Sequence, residues 1–305
     1  MHDSFDTFVK AAQAEGKDLR TMTNAEADEI LDRVFDQLIS THNDGIYERN
    51  ARTRGTLPIS IRKIRNCTYS ILRQIREGDF SIAATEAGFG KYGELPPVTL
   101  TLSDGTCIRI NGKIDRIDRS DDGTMFRIVD YKTGKGHTFS ATKFASGETI
   151  QLPLYLEAAK KLGGEAVGMY YMPLNAKPPE SPDDPPKNML SGVTASDETA
   201  IRASDGHLCG ASEIIDKLKV DQKGYAGDLI TREQIEALKD RAIAIAEKNA
   251  ERILDGEADI FPTSNGCKYC RFAEICRFDP LVDCRIRAAQ KQTLEDLLSK
   301  GGADE

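Results

Sequence analysis

The sequence lacks the features of a membrane protein or a secreted one. The chain has 305 residues, and no apolar run approaches the length that crosses a bilayer. Residues 1–16 have neither the basic start nor the apolar core of a signal peptide. We therefore expect a cytoplasmic protein with no membrane partner. Because that compartment is reducing, the seven cysteines are expected to be thiols or metal ligands and not disulfides.

A surplus of positive charge is also missing. The formal net charge of −8 argues against non-specific coating of nucleic acid, because phosphate contacts need an excess of Lys and Arg. It leaves room for a locally basic groove. The chain has no internal repeat and no Walker-type GxxxxGK[ST] segment, so we do not expect ATP hydrolysis. Its hydrophobic content of 39% is enough for a sizeable core, in one large domain or two.

Two runs that alternate like strands carry the most informative residues present. The first is GKIDRID at 112–118, which contains Asp115, and the second is IVDYKTG at 128–134. Residues two apart on a strand share a face, so Asp130 and Lys132 converge while Tyr131 points away. A divalent metal that cuts a phosphodiester needs hard oxygen ligands and an ammonium beside the attacking water. The pattern predicts such a site, and a surface ion pair is the alternative.

The order of the predicted elements indicates an α/β sandwich around a mixed sheet. A capping box at Thr231–Gln234 marks the start of one long helix. Residues 176–186 are rich in proline and acid and should form a loop, and 188–230 are weakly patterned. We predict helices over 1–43, 147–162, 231–254 and about 285–300, and strands over 80–134 and 166–172.

A basic helix is predicted between these regions. Residues 49–76 contain eight basic residues and no acidic one, and Pro58 is well placed as a helix start. Apolar side chains lie largely on one face. The opposite, wholly positive face could contact DNA phosphates, or it could be an ordinary solvated surface. The residues at three- and four-residue spacing on that face are Arg62, Arg65, Tyr69, Arg73 and Arg76.

Four motifs in a fixed order give the chain a family resemblance. They are GKIDRID, DYKTG at 130–134, QLPLY at 151–155 and CKYCRFAEICRFD at 267–279. Together they resemble the RecB-like branch of the PD-(D/E)XK nucleases, and within it the nuclease domains of bacterial AddAB-type helicase-nucleases. The resemblance implies a restriction-endonuclease-like core with a mixed sheet flanked by helices. We expect a helical N-terminal part at 1–79, the catalytic core at 80–175 and a Cys-cluster part at 176–305.

The resemblance also implies a metal site. By it, Asp115 and Asp130 hold a metal ion, usually Mg²⁺, together with the backbone carbonyl of Tyr131. Lys132 positions or activates the attacking water. This agrees with the residue types, because Mg²⁺ binds through a few carboxylates and keeps water ligands that can become the nucleophile.

Four further residues match the family's pattern. Gln151 and Tyr155 lie at i and i+4 on one helix face, and the resemblance places them beside the active site, although Tyr155 could be plain core. Glu86 matches an acidic residue before the first long strand. His2 matches a histidine that can join the metal, but a side chain one residue from the chain end is expected to be poorly held.

Three cysteines suggest a second metal centre. Cys267, Cys270 and Cys276 have a spacing that suits a soft metal or an iron-sulfur cluster. The resemblance implies a structural 4Fe-4S cluster whose fourth cysteine lies upstream, beyond this sequence, so we expect the chain to be part of a longer protein. Zinc is the alternative. Substitutes for the fourth ligand would be Cys67, Cys107, Cys209 and Cys284.

The function implied by the resemblance is that of a Mg²⁺-dependent DNA exonuclease module. It would cut a single strand supplied by an AddA-like helicase-nuclease subunit, in double-strand break repair by homologous recombination. One alternative is a stand-alone exonuclease of the CRISPR-associated type. The other is a non-catalytic scaffold that binds DNA or a helicase partner.

Overall fold

A mixed sheet of six strands lies at the centre of the computed structural model. The structure describes residues 1–42, 45–47, 49–91, 93–134, 138–175, 188–263, 266–268, 270–283, 286–287 and 290–299. The strands are β1 (Phe80–Phe89), β2 (Val98–Thr101), β3 (Cys107–Ile110), β4 (Gly112–Ser120), β5 (Met125–Lys132), β6 (Glu165–Pro173), β7 (Ser191–Ala195), β8 (Lys219–Asp221), β9 (Gly224–Ala226) and β10 (Leu229–Ile230).

Helices precede and follow these strands. They are α1 (His2–Ala14), α2 (Asn24–Thr41), α3 (Ala51–Arg76), α4 (Ala141–Ala145), α5 (Gln151–Ala159), α6 (Glu198–Ser204), α7 (Arg232–Leu254), α8 (Ala273–Cys276), α9 (Pro280–Asp283) and α10 (Leu294–Ser299). A short 3-10 helix, Lys160–Leu162, extends α5. None of the helices within the described ranges is both long and apolar enough to cross a membrane.

The strand order in the sheet is β1-β4-β5-β6-β7-β10. The chain runs antiparallel from β1 to β4 and from β4 to β5, whereas β5 and β6 are parallel. Parallel neighbours need a crossover connection, and α5 lies in the one between β5 and β6. The α/β sandwich with a mixed sheet that the sequence predicts is therefore confirmed.

Successive side chains of β5 point to opposite faces of the sheet, and the core lies in two layers, one on each face. Ile128 faces a cluster that includes Leu152 and Leu156 of α5, whereas Val129 faces a cluster that includes Phe5 of α1. The residues that α1, α2 and α3 contribute to the second cluster are apolar at helical spacing, so one stripe of each helix is buried. The face that carries Asp130 and Lys132 is thus the face covered by α5.

Several predicted boundaries differ from the structure. α3 begins at Ala51, where the side chain of Asn50 accepts a hydrogen bond from Thr53 N, so Pro58 lies inside the helix and not at its start. α10 begins only at Leu294, after a Thr293 cap that accepts from Asp296 N. The buried strand β7 lies in a segment whose weak patterning does not predict it. The capping box of α7 is confirmed, and the predicted loop at 176–186 lies outside the described residues.

Candidate metal centre and catalytic lysine

The two motif strands meet at Asp115. In the β4–β5 ladder Arg116 is paired with Val129, which brings the start of β4 beside the end of β5. Asp115 Oδ2 accepts a hydrogen bond of 2.7 Å from the backbone N–H of Tyr131. This bond fixes one carboxylate oxygen and leaves Oδ1 turned toward other side chains.

His2 and Glu86 complete a cluster around that carboxylate. His2 Nδ1 lies 3.1 Å from Asp115 Oδ1 and 3.8 Å from Glu86 Oε1. One ligand atom from each of the three residues lies within 4.8 Å of the others, and the described part of the chain contains no other such group of three. The hydrogen bond to Asp115 raises the pKa of His2, although burial acts in the opposite direction.

The expectation that His2 would be poorly held is wrong, because its helix is packed on the sheet. Phe5, Phe8 and Val9 of α1 are buried, and the Phe5 ring lies 5.1 Å from the Tyr131 ring. The His2 ring meets the same tyrosine edge-on at 5.8 Å. α1 starts at His2, so its docking places the imidazole.

Glu86 lies inside β1 and not before the first long strand. Its backbone has a φ of +49°, the left-handed region, which costs roughly 1 to 3 kcal/mol for a residue with a side chain. Oε2 lies 3.0 Å from Lys113 Nζ. Oε1 is buried and has no hydrogen-bond partner among the described residues. Such a local strain together with an unsatisfied oxygen is typical of a ligand-binding position.

Asp130 and Lys132 form the second part of the site. Their closest atoms, Oδ2 and Nζ, lie 2.6 Å apart. Asp130 is 3% exposed, and burial raises its pKa although the charge and hydrogen bond of Lys132 oppose that shift. Asp130 is not a member of the three-residue cluster. Its role as a metal ligand, and that of the Tyr131 carbonyl, stay predictions.

Gln151 and Tyr155 brace the lysine from α5. Lys132 Nζ donates to Gln151 Oε1 at 2.9 Å, and Gln151 Nε2 donates to the Tyr155 hydroxyl at 2.7 Å. Burial raises the pKa of Tyr155 to about 12, so the hydroxyl stays protonated at neutral pH. Lys132 Nζ also lies 5.2 Å above the Tyr171 ring, a cation–π contact that the sequence alone did not indicate.

The donor set of the cluster suits a divalent cation: carboxylates are the hard oxygen ligands that Mg²⁺ and Mn²⁺ take, whereas an imidazole is more typical of softer metals such as Zn²⁺. Two carboxylates and an imidazole supply oxygen and nitrogen ligands, and Glu86 Oε1 has no hydrogen-bond partner among the described residues that would compete with a metal ion. Lys113 was missed as a member of the site, although it lies in the GKIDRID motif. Lys113 and Asp115 lie two residues apart on one strand, so the strand pattern could have placed them on the same face. The partner of Lys113, Glu86, is remote in sequence and could not be found in this way.

Carboxylates lie beside the predicted positive face of α3. That face comprises Arg62, Arg65, Tyr69, Arg73 and Arg76. Arg65 pairs with Asp28 at 2.5 Å and with Asp32, and the Tyr69 hydroxyl donates to Asp28 at 2.7 Å. Arg73 pairs with Glu213, and Arg76 donates to the Met22 carbonyl. Carboxylates of α2 thus neutralise Arg65 and Glu213 neutralises Arg73, whereas Arg62 is exposed. DNA binding by this face stays a prediction.

The predicted cysteine centre does not form a ligand set in the described residues. Cys267 and Cys270 are exposed and Cys276 is partly exposed. Their Sγ atoms do not all lie within 4.8 Å of one another, as the ligand atoms of the histidine–carboxylate cluster do. Of the candidate substitutes, Cys107 and Cys209 are exposed and Cys67 is buried. Cys284 lies outside the described residues.

Comparison with known proteins defines the class. The family model of the PD-(D/E)XK nuclease superfamily matches residues 1–277, and the chain belongs to this superfamily. The match includes all the residues of the histidine–carboxylate cluster and of the lysine site.

Within this superfamily, the chain is similar to one kind of helicase/deoxyribonuclease subunit. Each of three curated relatives is AddB, one of the subunits of an ATP-dependent helicase/deoxyribonuclease, and each is 29% identical to this chain. Those of Clostridium acetobutylicum, Acetivibrio thermocellus and Symbiobacterium thermophilum align with 93%, 91% and 99% of this chain and with 26%, 26% and 28% of their own. The chain therefore spans about a quarter of the length of these relatives. A solved structure, SSO0001, covers 79% of both chains at 14% identity, and its TM-score of 0.27 supports no argument.

Proposed function

We propose that the chain is a metal-dependent DNA exonuclease module. The observation that carries this proposal is the convergence of a histidine–carboxylate cluster with the Asp130–Lys132 pair at the end of β5. Hydrolysis of a phosphodiester needs a bound divalent metal and a positioned water, and this arrangement provides residues for both.

His2, Glu86 and Asp115 would hold the metal, together with Asp130 and the backbone carbonyl of Tyr131, and we propose Mg²⁺ as that metal. When bound, it would polarise the phosphate and lower the pKa of an attacking water. Lys132 holds its ammonium next to Asp130, where it can orient that water and offset the negative charge that develops on the phosphate oxygens. Gln151 keeps the ammonium in place through its amide oxygen. Lys113 must loosen its contact with Glu86 for both carboxylate oxygens to become available.

The wider context of the activity is also a proposal. The relatives are subunits of a helicase/deoxyribonuclease, and this chain aligns with about a quarter of each. We propose that it acts with an AddA-like subunit that supplies single-stranded DNA for recombinational repair. The exposed Arg62 at the start of the arginine face is then a candidate phosphate contact.

The iron-sulfur cluster on Cys267, Cys270 and Cys276 is a separate proposal. Their spacing supports it, and their exposure leaves them open to a ligand from outside the described residues. Anaerobic purification with an absorption spectrum and iron and sulfide analysis tests it. If the protein contains zinc and neither iron nor sulfide, the iron-sulfur proposal is wrong and the cysteines form a zinc site.

Degradation of labelled single-stranded DNA tests the nuclease. We expect cleavage with Mg²⁺, none with EDTA, and a loss of at least about 100-fold in Lys132→Met, the range typical of positioned proton-transfer and charge-stabilising groups. Lys219→Met is the matched control, because Lys219 is exposed on β8. Cleavage that persists in EDTA or in Lys132→Met contradicts the proposal. DNA binding without any cleavage would favour the scaffold alternative.

A further inference from the structure

A groove of about 520 Å³ lies beside the catalytic lysine. Lys132, Gln151 and Tyr155 form one side of it, and the other sides are formed by β1, the β3–β4 junction, the segment around α4 and Tyr171 of β6. Its size falls within the range of pockets that hold one small organic ligand. The metal cluster contributes no residue to its lining, so the groove extends away from the metal on the lysine side.

The walls of the groove are aromatic and aliphatic. Phe89, Tyr155 and Tyr171 line it together with Ile110, Ile150 and Leu154. The Phe89 and Tyr155 rings meet edge-on at 5.8 Å, which holds both in place. Such walls suit a flat apolar group. A nucleobase that is not paired in a duplex is such a group, and stacking on aromatic rings is the usual way in which proteins bind it.

Lys143 supplies a positive charge at the same groove. It is exposed, and no hydrogen bond or ion pair involves its ammonium within the described ranges. Lys132 and Lys113, by contrast, are paired with carboxylates. Glu148, an acidic residue of the lining, accepts a hydrogen bond from Ser146. Lys143 is therefore available to an anion outside the protein.

The helix that carries Lys143 is held firmly. Phe144 of α4 is fully buried in the core. The Thr142 hydroxyl donates to the Gln292 carbonyl at 3.2 Å, and Gln292 N donates back to that hydroxyl at 2.9 Å. The lysine is thus placed on a fixed support beside the groove.

Thr149 adds an unsatisfied hydroxyl to the lining. Its Oγ1 is buried and has no hydrogen-bond partner among the described residues. A buried hydroxyl without a partner is destabilising, so its presence needs a reason other than folding. A polar group that enters the groove would satisfy it.

We propose that this groove binds one unpaired nucleotide of a single DNA strand, next to the phosphate that is cut. The base would lie against the aromatic wall, and Lys143 would contact the neighbouring phosphate. The inference rests on the proposed nuclease function and assigns the residues that would hold one nucleotide of its single strand. Paired and stacked bases of a duplex cannot present a free face to the wall.

Binding of fluorescein-labelled dT20, measured by anisotropy with EDTA present, tests the groove without cleavage. We expect Lys143→Met to weaken binding on the order of 5-fold and to lower the slope of log K against log salt by about 0.7, the value for one phosphate contact on a single strand. Lys219→Met should change neither. A blunt duplex of the same length should bind equally to the wild type and to Lys143→Met.

Thr149→Val gives an independent test, because the two roles of the hydroxyl predict opposite results. If it serves the ligand, dT20 binding weakens while the melting temperature of the free protein stays the same or rises. If it serves the fold, the melting temperature falls and binding is unchanged.

The inference is overturned if the wild type does not bind dT20 at low salt, if Lys143→Met behaves like Lys219→Met, or if Lys143→Met weakens duplex binding as much as dT20 binding. These outcomes are distinct from failure of the nuclease. If the wild-type protein degrades DNA and Lys143→Met binds dT20 as the wild type does, the groove proposal is refuted and the nuclease proposal is retained. Selective weakening of dT20 binding in a protein that does not cut supports the groove alone.

Discussion

The ammonium of Lys132 donates a hydrogen bond to the amide oxygen of Gln151 at 2.9 Å. The two residues lie on different elements, β5 and α5, and the amide nitrogen of Gln151 is in turn bonded to Tyr155. The lysine therefore has its position set by an uncharged group as well as by Asp130.

Replacing Gln151 should impair cleavage without removing the lysine. In Gln151→Leu the ammonium loses its neutral acceptor, and we expect cleavage to fall about 10- to 100-fold, as for other groups that orient a catalytic residue. Gln37→Leu, on the exposed face of α2, is the control. Steady-state kinetics should show the loss mainly in kcat. A change confined to KM would mean that Gln151 contacts only the substrate.

Replacing Glu86 should remove metal-dependent stabilisation. Wild-type protein at a hundredfold excess of Mg²⁺ over its Kd should gain about 2.7 kcal/mol of unfolding free energy, and Glu86→Gln should lose most of it. Without metal the variant should melt near the wild-type temperature, because Lys113 is 58% exposed and such pairs contribute little. Thermal melts with and without Mg²⁺ measure both effects. Glu29→Gln, on α2, should respond to the metal like wild type, and a similar response in Glu86→Gln would exclude Glu86 as a ligand.

Asp118 should be essential for stability and not for chemistry. It is fully buried between Arg116 and Arg127, with hydrogen bonds of 2.6 to 2.9 Å. Asp118→Asn leaves two buried guanidinium groups without their counter-charge, and we expect a loss of about 3 to 5 kcal/mol in urea unfolding. The exposed Asp36→Asn should be near neutral.

Asp118 should also shape the acid limit of stability. Burial alone would raise its pKa, but the charges and hydrogen bonds of the two arginines outweigh burial and hold the pKa below its usual value. A carboxyl with a lowered folded-state pKa contributes stability above its unfolded value, about 3.9, and that contribution is lost as pH falls toward the folded value. The unfolding free energy should therefore depend less on pH below about pH 4 in Asp118→Asn than in wild type. Equal slopes would contradict this assignment.

Thiol labelling should distinguish Cys67 from the exposed cysteines. Cys67 is 1% exposed, and burial raises its pKa to about 12, so little thiolate forms at neutral pH. Maleimide labelling followed by mass spectrometry should modify Cys107 and Cys209 in the native protein and Cys67 only after denaturation. Rapid native labelling of Cys67 would show that it is accessible, and would contradict its assignment as a buried thiol.

The sequence predicted the parts of the site that depend on local periodicity. Asp130 and Lys132 share a strand face, and Gln151 and Tyr155 share a helix face, so spacing alone could put the two members of each pair on one face, whereas the family resemblance put Gln151 and Tyr155 beside the active site. Contacts between remote segments could not be placed in this way. The pairing of Glu86 with Lys113 depends on the register between β1 and β4.

The arginine face shows the same limit. The sequence predicts that Arg65 lies on a wholly positive face, either for DNA contact or simply solvated, because residues 49–76 contain no acidic residue. Its partners Asp28 and Asp32 lie on α2, one turn apart, and that acidic stripe was a signal available in the sequence. Which face of α2 meets α3 is decided by packing, and packing is not visible in either helix alone.

The bond between His2 and Asp115 joins residues that are 113 positions apart in the chain. A polypeptide that has formed its hairpin of β4 and β5, but has not yet docked α1, would lack the imidazole of the cluster. We therefore expect full metal affinity to arise only after the first helix has packed. DNA cleavage would then report a completed fold, and partly folded molecules would leave nucleic acid intact.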